Sequence, residues 1–394
     1  MTSTDASPAP VPLFLLGAES LLNSERGTVC PGDLPPASDP HLVDRAKAAR
    51  HALGNRAIVL GHHYQRDEVI QFADVVGDSY KLAQAAAGQH DAEYVIFCGV
   101  HFMAESADIL TAEHQRVILP DLAAGCSMAD MAQLPQVEDC WDALADLGLA
   151  DTLVPITYMN SSADIKAFVG RHDGTVCTSS NARVSMEWGF ERGERLLFFP
   201  DQHLGRNTAV RELGLSLDAC VLWNPHRPLG GLTEAALRAA KVILWQGHCS
   251  VHGRFTLDTV LEARARIPGV TILVHPECRY EVVEAADLVG STEFILKAVR
   301  EAPAGSTFAI GTELNLVNRL AQEHPDKTVV FLDKTVCFCA TMNRIDLPHL
   351  VWAMESLADG RVVNEIVVDP ETKKYAKQAL DRMLALVQAP ITGD

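Results

Sequence analysis

Three cysteines follow apolar, strand-like runs at nearly the same distance in three similar stretches of the chain. Cys126 follows the run Val-Ile-Leu-Pro, and Cys249 follows Val-Ile-Leu-Trp. The third candidate, Cys337 or Cys339, follows Val-Val-Phe-Leu. Three thiolates brought together from separate segments could hold a metal centre with one position open, whereas structural sites usually fill every position. The spacing therefore predicts a metal centre that does Lewis-acid chemistry.

The type of ligand favours a [4Fe–4S] cluster that holds a substrate on its fourth iron, and zinc with three cysteines and a water is the alternative. A radical enzyme that uses adenosylmethionine would need a compact C-x-x-x-C-x-x-C motif, which the sequence lacks. Without the matched spacing, buried cysteines in ordinary α/β units would be the simpler interpretation. The choice between Cys337 and Cys339 stays open at this point.

Polar residues follow the strand-like runs of the same three stretches. Ligands bind at the carboxyl ends of strands in open α/β sheets, so these side chains are candidates for one shared site. Hydroxyls at predicted helix starts also suit phosphate and carboxylate groups, which the helix N-terminus attracts. A single such serine would be a plain N-cap, but its recurrence in three stretches favours ligand contact. The set comprises His62, Tyr64, Ser79, Tyr158, Asn160, Ser179, His275, Glu277, Ser291 and Thr292.

Four of these residues are candidates for catalysis. Because three thiolates are already present, His62 and His275 are predicted to donate hydrogen bonds or to act as acids and bases rather than as metal ligands. Tyr64 and Glu277 each lie two residues after one of these histidines, so an extended chain points them to the same side. We predict that Tyr64 and Glu277 transfer protons. His252, three residues after the second cysteine, is expected to lie near the metal centre.

Short β-branched runs alternate with longer amphipathic segments from residue 41 onward, which is typical of parallel α/β units. Each of the three stretches holds four strand-like runs, and the last of the four precedes a cysteine. We predict an arm over 1–40, αβα repeats over 41–135, 136–262 and 263–350, and a C-terminal helical segment over 351–394 that packs back on the first repeat. The middle repeat is longer, which indicates an insertion around 203–231.

The composition argues against several classes of protein. The 394 residues are 48% hydrophobic, enough for a large core. A net charge of −18 argues against nucleic acid and anionic membranes as partners. Ten scattered cysteines without a C-x-x-C pair fit a reducing cytoplasm better than secretion, and no signal or membrane segment is recognised. The absence of G-x-G-x-x-G and of a P-loop argues against a nucleotide cofactor.

A series of short motifs, in order, resembles the quinolinate synthase family. The match runs from about residue 41 to the C-terminus, and the combination is far more specific than any single motif. The motifs are GHHYQ (61–65), VGDSYKLA (76–83), CGVHFMAE (98–105), AGCSMADM (124–131), YMNSSADIKA (158–167), CTSSNA (177–182), WQGHCSVH (245–252), HPEC (275–278), VGST (289–292), GTELNLVNRL (311–320) and CATMNRIDLPHL (339–350).

The resemblance implies a [4Fe–4S] enzyme of NAD biosynthesis, with three αβα domains around a pseudo-threefold axis and the site at the centre. Such an enzyme condenses iminoaspartate, supplied by L-aspartate oxidase, with dihydroxyacetone phosphate to give quinolinate, phosphate and two waters. By motif, Cys126, Cys249 and Cys339 would be the cluster ligands, and the polar residues named above would line the substrate cavity. The resemblance leads us to expect a cytoplasmic monomer or homodimer.

One departure bears on the third ligand. The family usually has C-P-x-M there, whereas this chain has Cys-Ala-Thr-Met over 339–342. The methionine and the Asn-Arg pair after it keep the register, so the resemblance favours Cys339, with Cys337 as the alternative. Two other functions stay open from the residues alone. One is a zinc-dependent lyase or aldolase for a sugar phosphate, and the other is an iron–sulfur redox sensor.

Overall fold

The computed structural model describes residues 25–26, 34–335 and 338–388, and its strands form three sheets. The first sheet contains β1 (Glu25–Arg26), β2 (Ala57–His62), β3 (Val75–Gly77), β4 (Tyr94–Cys98), β5 (Arg116–Ile118) and β15 (Glu365–Ile366). The second contains β6 (Leu153–Tyr158), β7 (Thr175–Cys177), β8 (Arg195–Phe199), β9 (Cys220–Trp223) and β10 (Val242–Trp245). The third contains β11 (Thr271–Val274), β12 (Leu288–Val289), β13 (Thr307–Gly311) and β14 (Thr328–Phe331).

The three sheets share one strand order. Their common parts run β3-β2-β4-β5, β7-β6-β8-β10 and β12-β11-β13-β14, and all of these neighbours pair in parallel. In each sheet the first strand of the repeat therefore lies between the second and the third. The prediction of an α/β fold with three repeated parallel sheets is confirmed.

Helices cover these sheets, which explains why β4, β8 and β10 are buried along their whole length and read as continuous apolar runs. The helices are Leu42–Leu53, Asp67–Ile70, Ser79–Gly88, His101–Leu110, Leu134–Asp146, Ala163–Arg171, Ala182–Phe190, Gln202–Asn207, Glu234–Ala239, Leu257–Arg266, Tyr280–Ala285, Thr292–Glu301, Leu314–Glu323, Leu347–Ala358 and Pro370–Gln388. Among the described residues, no helix is both long enough and apolar enough to cross a membrane.

The segment expected to be an insertion in the middle repeat builds structure at the edge of the second sheet. The helix Gln202–Asn207 continues as the π-helical segment Thr208–Glu212, and β9 then pairs in parallel with β10. The first sheet differs in another way, since β15 pairs antiparallel with both β5 and β1. Most of the predicted N-terminal arm, residues 1–24 and 27–33, lies outside the described residues.

The C-terminal segment divides its contacts between two repeats. The helix Leu347–Ala358 packs on Leu42–Leu53, and β15 joins the first sheet. The last helix, Pro370–Gln388, packs mainly on Ala163–Arg171 of the second repeat. At that contact the two backbones come so close that a β-carbon at Gly170 would lie on the carbonyl of Tyr375. The segment therefore ties the first two repeats together.

Candidate active site

The carboxyl ends of the three sheets surround one cavity. Cys126, Cys249 and Cys339 line it, together with nine of the ten polar residues that follow the strands: His62, Tyr64, Ser79, Tyr158, Asn160, Ser179, His275, Glu277 and Thr292. The tenth, Ser291, does not belong to the lining. Its hydroxyl accepts the N–H of Phe294 at 3.4 Å and caps the helix that begins at Thr292. The structure thus brings side chains from all three repeats to one place.

Each of the three cysteines lies in the loop that follows the last parallel strand of its repeat, which is β5 for Cys126, β10 for Cys249 and β14 for Cys339. Burial raises the pKa of the Cys126 thiol to about 12, and it raises those of Cys249 and Cys339 as well. The negative charges of the other two cysteines add to the effect at Cys249. Thiolates that repel one another in a buried cavity fit a cationic metal centre, which would neutralise them. Cys337 lies outside the described residues.

Two buried acids support two of the cysteine loops. Glu313 follows β13, and one of its oxygens accepts the N–H of Asn315 at 2.7 Å while the other accepts the N–H of Cys339 at 3.3 Å. Asp201 follows β8, caps the next helix and pairs with Gly247 in the loop that carries Cys249. Burial and the negative charge of Glu277 raise the pKa of its carboxyl well above the ordinary value. Because β8 pairs with β10 and β13 pairs with β14, an acid after β8 or β13 lies next to the cysteine loop that follows the neighbouring strand.

Two turns of the same form present the predicted histidines. The Nδ1 of His62 accepts the N–H of Tyr64 at 3.1 Å, and the Nδ1 of His275 accepts the N–H of Glu277 at 3.3 Å. Burial lowers the pKa of both histidines to about 3, so both rings are neutral at neutral pH. Since Nδ1 accepts, the proton lies on Nε2, and each ring can donate from that nitrogen.

A chain of hydrogen bonds joins the two predicted proton-transfer residues. The Nδ1 of His252 lies 2.8 Å from Oε2 of Glu277, its Nε2 lies 3.2 Å from the hydroxyl of Thr312, and that hydroxyl lies 2.9 Å from the Tyr64 hydroxyl. A carboxylate can only accept, so Nδ1 of His252 donates to it. The Nε2 of a neutral ring then accepts from Thr312. Glu277 and Tyr64 are therefore linked through two intervening side chains.

The charges of this group are set by burial and by its hydrogen bonds. Burial alone would raise the pKa of Glu277, but His252, His275 and the Tyr158 hydroxyl, 2.5 Å away, hold it below its usual range. Burial and the negative charge of Glu277 raise the pKa of Tyr64 and of Tyr158 well above the ordinary value. At neutral pH the site therefore holds an ionised carboxylate between protonated phenols.

The remaining polar residues of the lining offer hydrogen bonds to a ligand. Ser79 and Thr292 are the first residues of their helices, where backbone N–H groups are free to bind anions. Asn160 has a buried carbonyl oxygen for which the described part of the chain provides no partner. Asp78, next to Ser79, accepts the hydroxyl of Ser180 at 3.1 Å and so joins the first repeat to the second.

Sequence reasoning missed part of this arrangement. Thr312 was not predicted, although it follows Gly311 at the end of β13, where a strand-end search could have found it. Asp78 and Asp201 can be recognised in the sequence as helix N-caps, but the sequence does not indicate that these helix starts lie near the cavity. His252 lies against Glu277, and one donor atom each from Cys249, His252 and Glu277 lies within 4.8 Å of the others. Thiolate, imidazole and carboxylate at that spacing could also hold a single metal ion.

Comparisons with known proteins match almost the whole chain. The family model described as "Quinolinate synthetase A protein" matches residues 44–385. The protein named quinolinate synthase from Streptomyces coelicolor is 67% identical over 384 residues, which is 97% of this chain and 98% of that protein. The quinolinate synthase from a Nocardioides species is 69% identical over 96% of this chain and 98% of that protein. The one from Corynebacterium glutamicum is 56% identical over 94% of each.

Proposed function

Since this chain belongs to the quinolinate synthase family of enzymes, which serves NAD biosynthesis, we propose that it condenses iminoaspartate with dihydroxyacetone phosphate. The products are quinolinate, phosphate and two waters, which balances all atoms of the two substrates. The observation that carries this proposal is the single cavity into which three repeats each contribute one cysteine and a set of polar side chains.

We propose that Cys126, Cys249 and Cys339 hold a [4Fe–4S] cluster. Three buried thiols whose charges oppose one another suit such a centre, and three protein ligands leave one iron open. The bound cluster supplies a Lewis acid that polarises substrate hydroxyl groups for loss as water. Glu313 supports the choice of Cys339 over Cys337, because its carboxylate fixes the Cys339 backbone in the cavity.

Proton transfer is assigned to the series of hydrogen bonds that joins Glu277 to Tyr64. Glu277 is ionised and lies in the cavity, so it is free to accept a proton, and we assign to it the proton that the triose carbon must lose before carbon–carbon bond formation and loss of phosphate. His252 steadies the carboxylate through its Nδ1–H. Tyr64 and Tyr158 are protonated, so they serve as donors to oxygen atoms of the substrates rather than as bases.

Binding is assigned to the hydroxyls and the neutral histidines. Ser79, Ser179 and Thr292 come from three different repeats, which lets them hold the phosphate and the two carboxylates in register. His62 and His275 donate from Nε2 to further substrate oxygens. Ser291 supports this binding indirectly by fixing the start of the helix that carries Thr292. A cavity closed by three repeats also keeps water away from iminoaspartate, which hydrolyses readily.

A second function is favoured by one observation. The group Cys249, His252 and Glu277 resembles the ligand set of a catalytic zinc ion, which would make the protein a zinc-dependent lyase or aldolase for a sugar phosphate. The two functions use the same glutamate differently, since a carboxylate that binds zinc cannot act as a free base.

The test is a metal analysis and an activity assay on protein purified without oxygen. We expect four irons and four sulfides per chain for a [4Fe–4S] cluster, and formation of quinolinate from iminoaspartate and dihydroxyacetone phosphate. Cys126→Ala, Cys249→Ala and Cys339→Ala should each lose the cluster absorption, whereas Cys337→Ala should keep it. Stoichiometric zinc without quinolinate formation would support the lyase instead.

The cellular setting is part of the proposal. The eight cysteines among the described residues are all free, which agrees with a reducing cytoplasm. Iminoaspartate is short-lived, so we propose that L-aspartate oxidase supplies it nearby. A monomer or homodimer suffices, because one chain contributes all three cysteines and all of the polar lining.

A further inference from the structure

The insertion in the middle repeat reaches across to the turn that carries Glu277. Asn207 is the last residue of the helix Gln202–Asn207, belongs to the second repeat and is almost fully buried. Its side-chain Nδ2 donates to the carbonyl of Pro276 at 2.7 Å and to the carbonyl of Cys278 at 2.8 Å. These two carbonyls belong to the residues on either side of Glu277.

The orientation of the Asn207 amide follows from its partners. Both partners are carbonyl oxygens, which can only accept, so the NH₂ group must face them. Its own oxygen has no partner among the described residues. Asn207 does not line the cavity, and both of its hydrogen bonds go to the backbone of the turn.

The same segment has a second attachment to the third repeat. Arg211 donates to the carbonyl of Val283 at 2.8 Å, and its Nε lies 3.2 Å from the carboxylate of Glu284. The helix Tyr280–Ala285 follows directly after the Glu277 turn. At its other end, the helix Gln202–Asn207 is capped by Asp201, which pairs with Gly247 in the loop that carries Cys249. One short helix therefore links the loop of the second cysteine to the turn of the glutamate.

We propose that Asn207 is a positioning residue that holds Glu277 in register with its hydrogen-bond partners. Glu277 receives hydrogen bonds at both oxygens, from Tyr158 at 2.5 Å and from His252 at 2.8 Å. Both partners come from the second repeat, whereas Glu277 comes from the third, so the distances depend on how the two repeats are fixed to each other. Asn207 is a direct tie between them at this turn.

This inference rests on the proposed function, in which Glu277 accepts a proton from the triose. A displacement of about 1 Å at a reacting group can reduce the rate about 100-fold. Because Asn207 does not touch substrate, its removal should lower kcat and leave KM within about threefold of the wild type. A residue that only stabilised the fold would lower the amount of active enzyme, whereas the kcat and the KM of the folded molecules would stay as in the wild type.

The experiment compares Asn207→Leu with the wild-type holoenzyme. Leucine has a similar branched shape and cannot donate a hydrogen bond, and kcat should fall about 100-fold with iron and sulfide content unchanged. Thr208→Val is the matched control, because the neighbouring Thr208 hydroxyl is equally buried and has no partner among the described residues. Its kcat and KM should match those of the wild type.

A second variant protects the test against a failure to fold. In Asn207→Ser the side chain is smaller than asparagine and therefore does not clash, and its hydroxyl is too short to make both hydrogen bonds of the amide, so kcat should fall at least about 10-fold. Wild-type kcat in folded Asn207→Leu, or in Asn207→Ser where the leucine variant does not fold, would overturn the inference while the proposed function stands. If neither the wild type nor Thr208→Val forms quinolinate, the proposed function is wrong, and the inference that rests on it is wrong as well.

Discussion

The turn at His62 and Tyr64 and the turn at His275 and Glu277 have the same backbone design and opposite chemistry. In both, Nδ1 of a buried neutral histidine accepts the N–H two residues later. In the first repeat the residue in that place is a phenol with a raised pKa, and in the third it is a carboxylate with a lowered one. The turn therefore fixes where a side chain points, whereas its neighbours fix what that side chain can do.

Those neighbours are the origin of the difference. The Tyr64 hydroxyl lies 3.1 Å from the hydroxyl of Thr292 and 2.9 Å from that of Thr312, and neither of these groups carries a charge. Glu277 meets His252 and Tyr158, both of which can donate to its negative charge. Two repeats with the same local backbone can thus present an acid, Tyr64, and a base, Glu277, to one cavity. Each of the two residues can be substituted separately.

The largest effect is expected for Glu277→Gln, which keeps the turn and removes the base. Loss of a general base typically costs about 100- to 10,000-fold in rate, so we expect kcat for quinolinate formation to fall about 1,000-fold. Iron content and the visible spectrum should stay as in the wild type, because glutamine can still accept the hydrogen bond from His252. Turnover within tenfold of the wild type would contradict the assignment of Glu277 as the base.

A smaller effect is expected for Tyr64→Phe in the first repeat. The phenol is a donor rather than a base, and the hydroxyl of Thr292 remains in the cavity lining, so kcat should fall about 100-fold. Steady-state phosphate release measures this directly. The comparison between the turns fails if the phenylalanine variant loses as much rate as Glu277→Gln, because both residues would then act as one unit.

The sequence could predict these turns because each depends on residues that are close along the chain. A histidine at a strand end and a reactive residue two positions later are visible as a local pattern, and the matched cysteine spacing indicates that three repeats converge. Four strand-like runs in each repeat also indicate parallel sheets.

Other features could not be predicted from the sequence, because they depend on contacts between segments that are far apart along the chain. The sequence alone does not show that Asn207 bonds to the carbonyls of Pro276 and Cys278, or that Asp78 meets Ser180. The packing of the last helix on Ala163–Arg171 could not be predicted either, because an amphipathic helix does not specify which surface it covers. Ser291 is an example of the opposite kind. A serine before a helix predicts a plain N-cap, which the structure shows, whereas its recurrence in three stretches favoured ligand contact.

Removing the histidines should affect the two turns equally. His62→Leu and His275→Leu each leave a buried backbone N–H without its acceptor, which costs about 1 to 3 kcal/mol of unfolding free energy. Urea unfolding of the two variants should give the same loss within about 0.5 kcal/mol, since their distances and burial match. A loss in one variant only would show that the turns share a sequence pattern but not a structural role.

The smallest effect concerns pH and follows from the same two rings. Burial holds the pKa of His62 and His275 at about 3 in the folded protein, whereas an unfolded histidine titrates near its ordinary value of 6.5. Between these values the unfolded chain binds more protons than the native one, so stability falls as the pH falls. Each ring contributes up to about 1.4 kcal/mol per pH unit.

Comparison of the holoenzyme with its variants isolates this contribution, because the acid sensitivity of the remaining groups is common to all of them. Between about pH 6 and pH 5, the slope of unfolding free energy against pH should drop by about 1 kcal/mol per unit in His62→Leu and by the same amount in His275→Leu. Above about pH 7.5 the slopes should coincide, since an unfolded histidine is neutral there as well. Equal slopes for wild type and variants at pH 5 to 6 would mean that the rings gain a proton in the folded state, and the Nε2–H donors assigned to both turns would have to be revised.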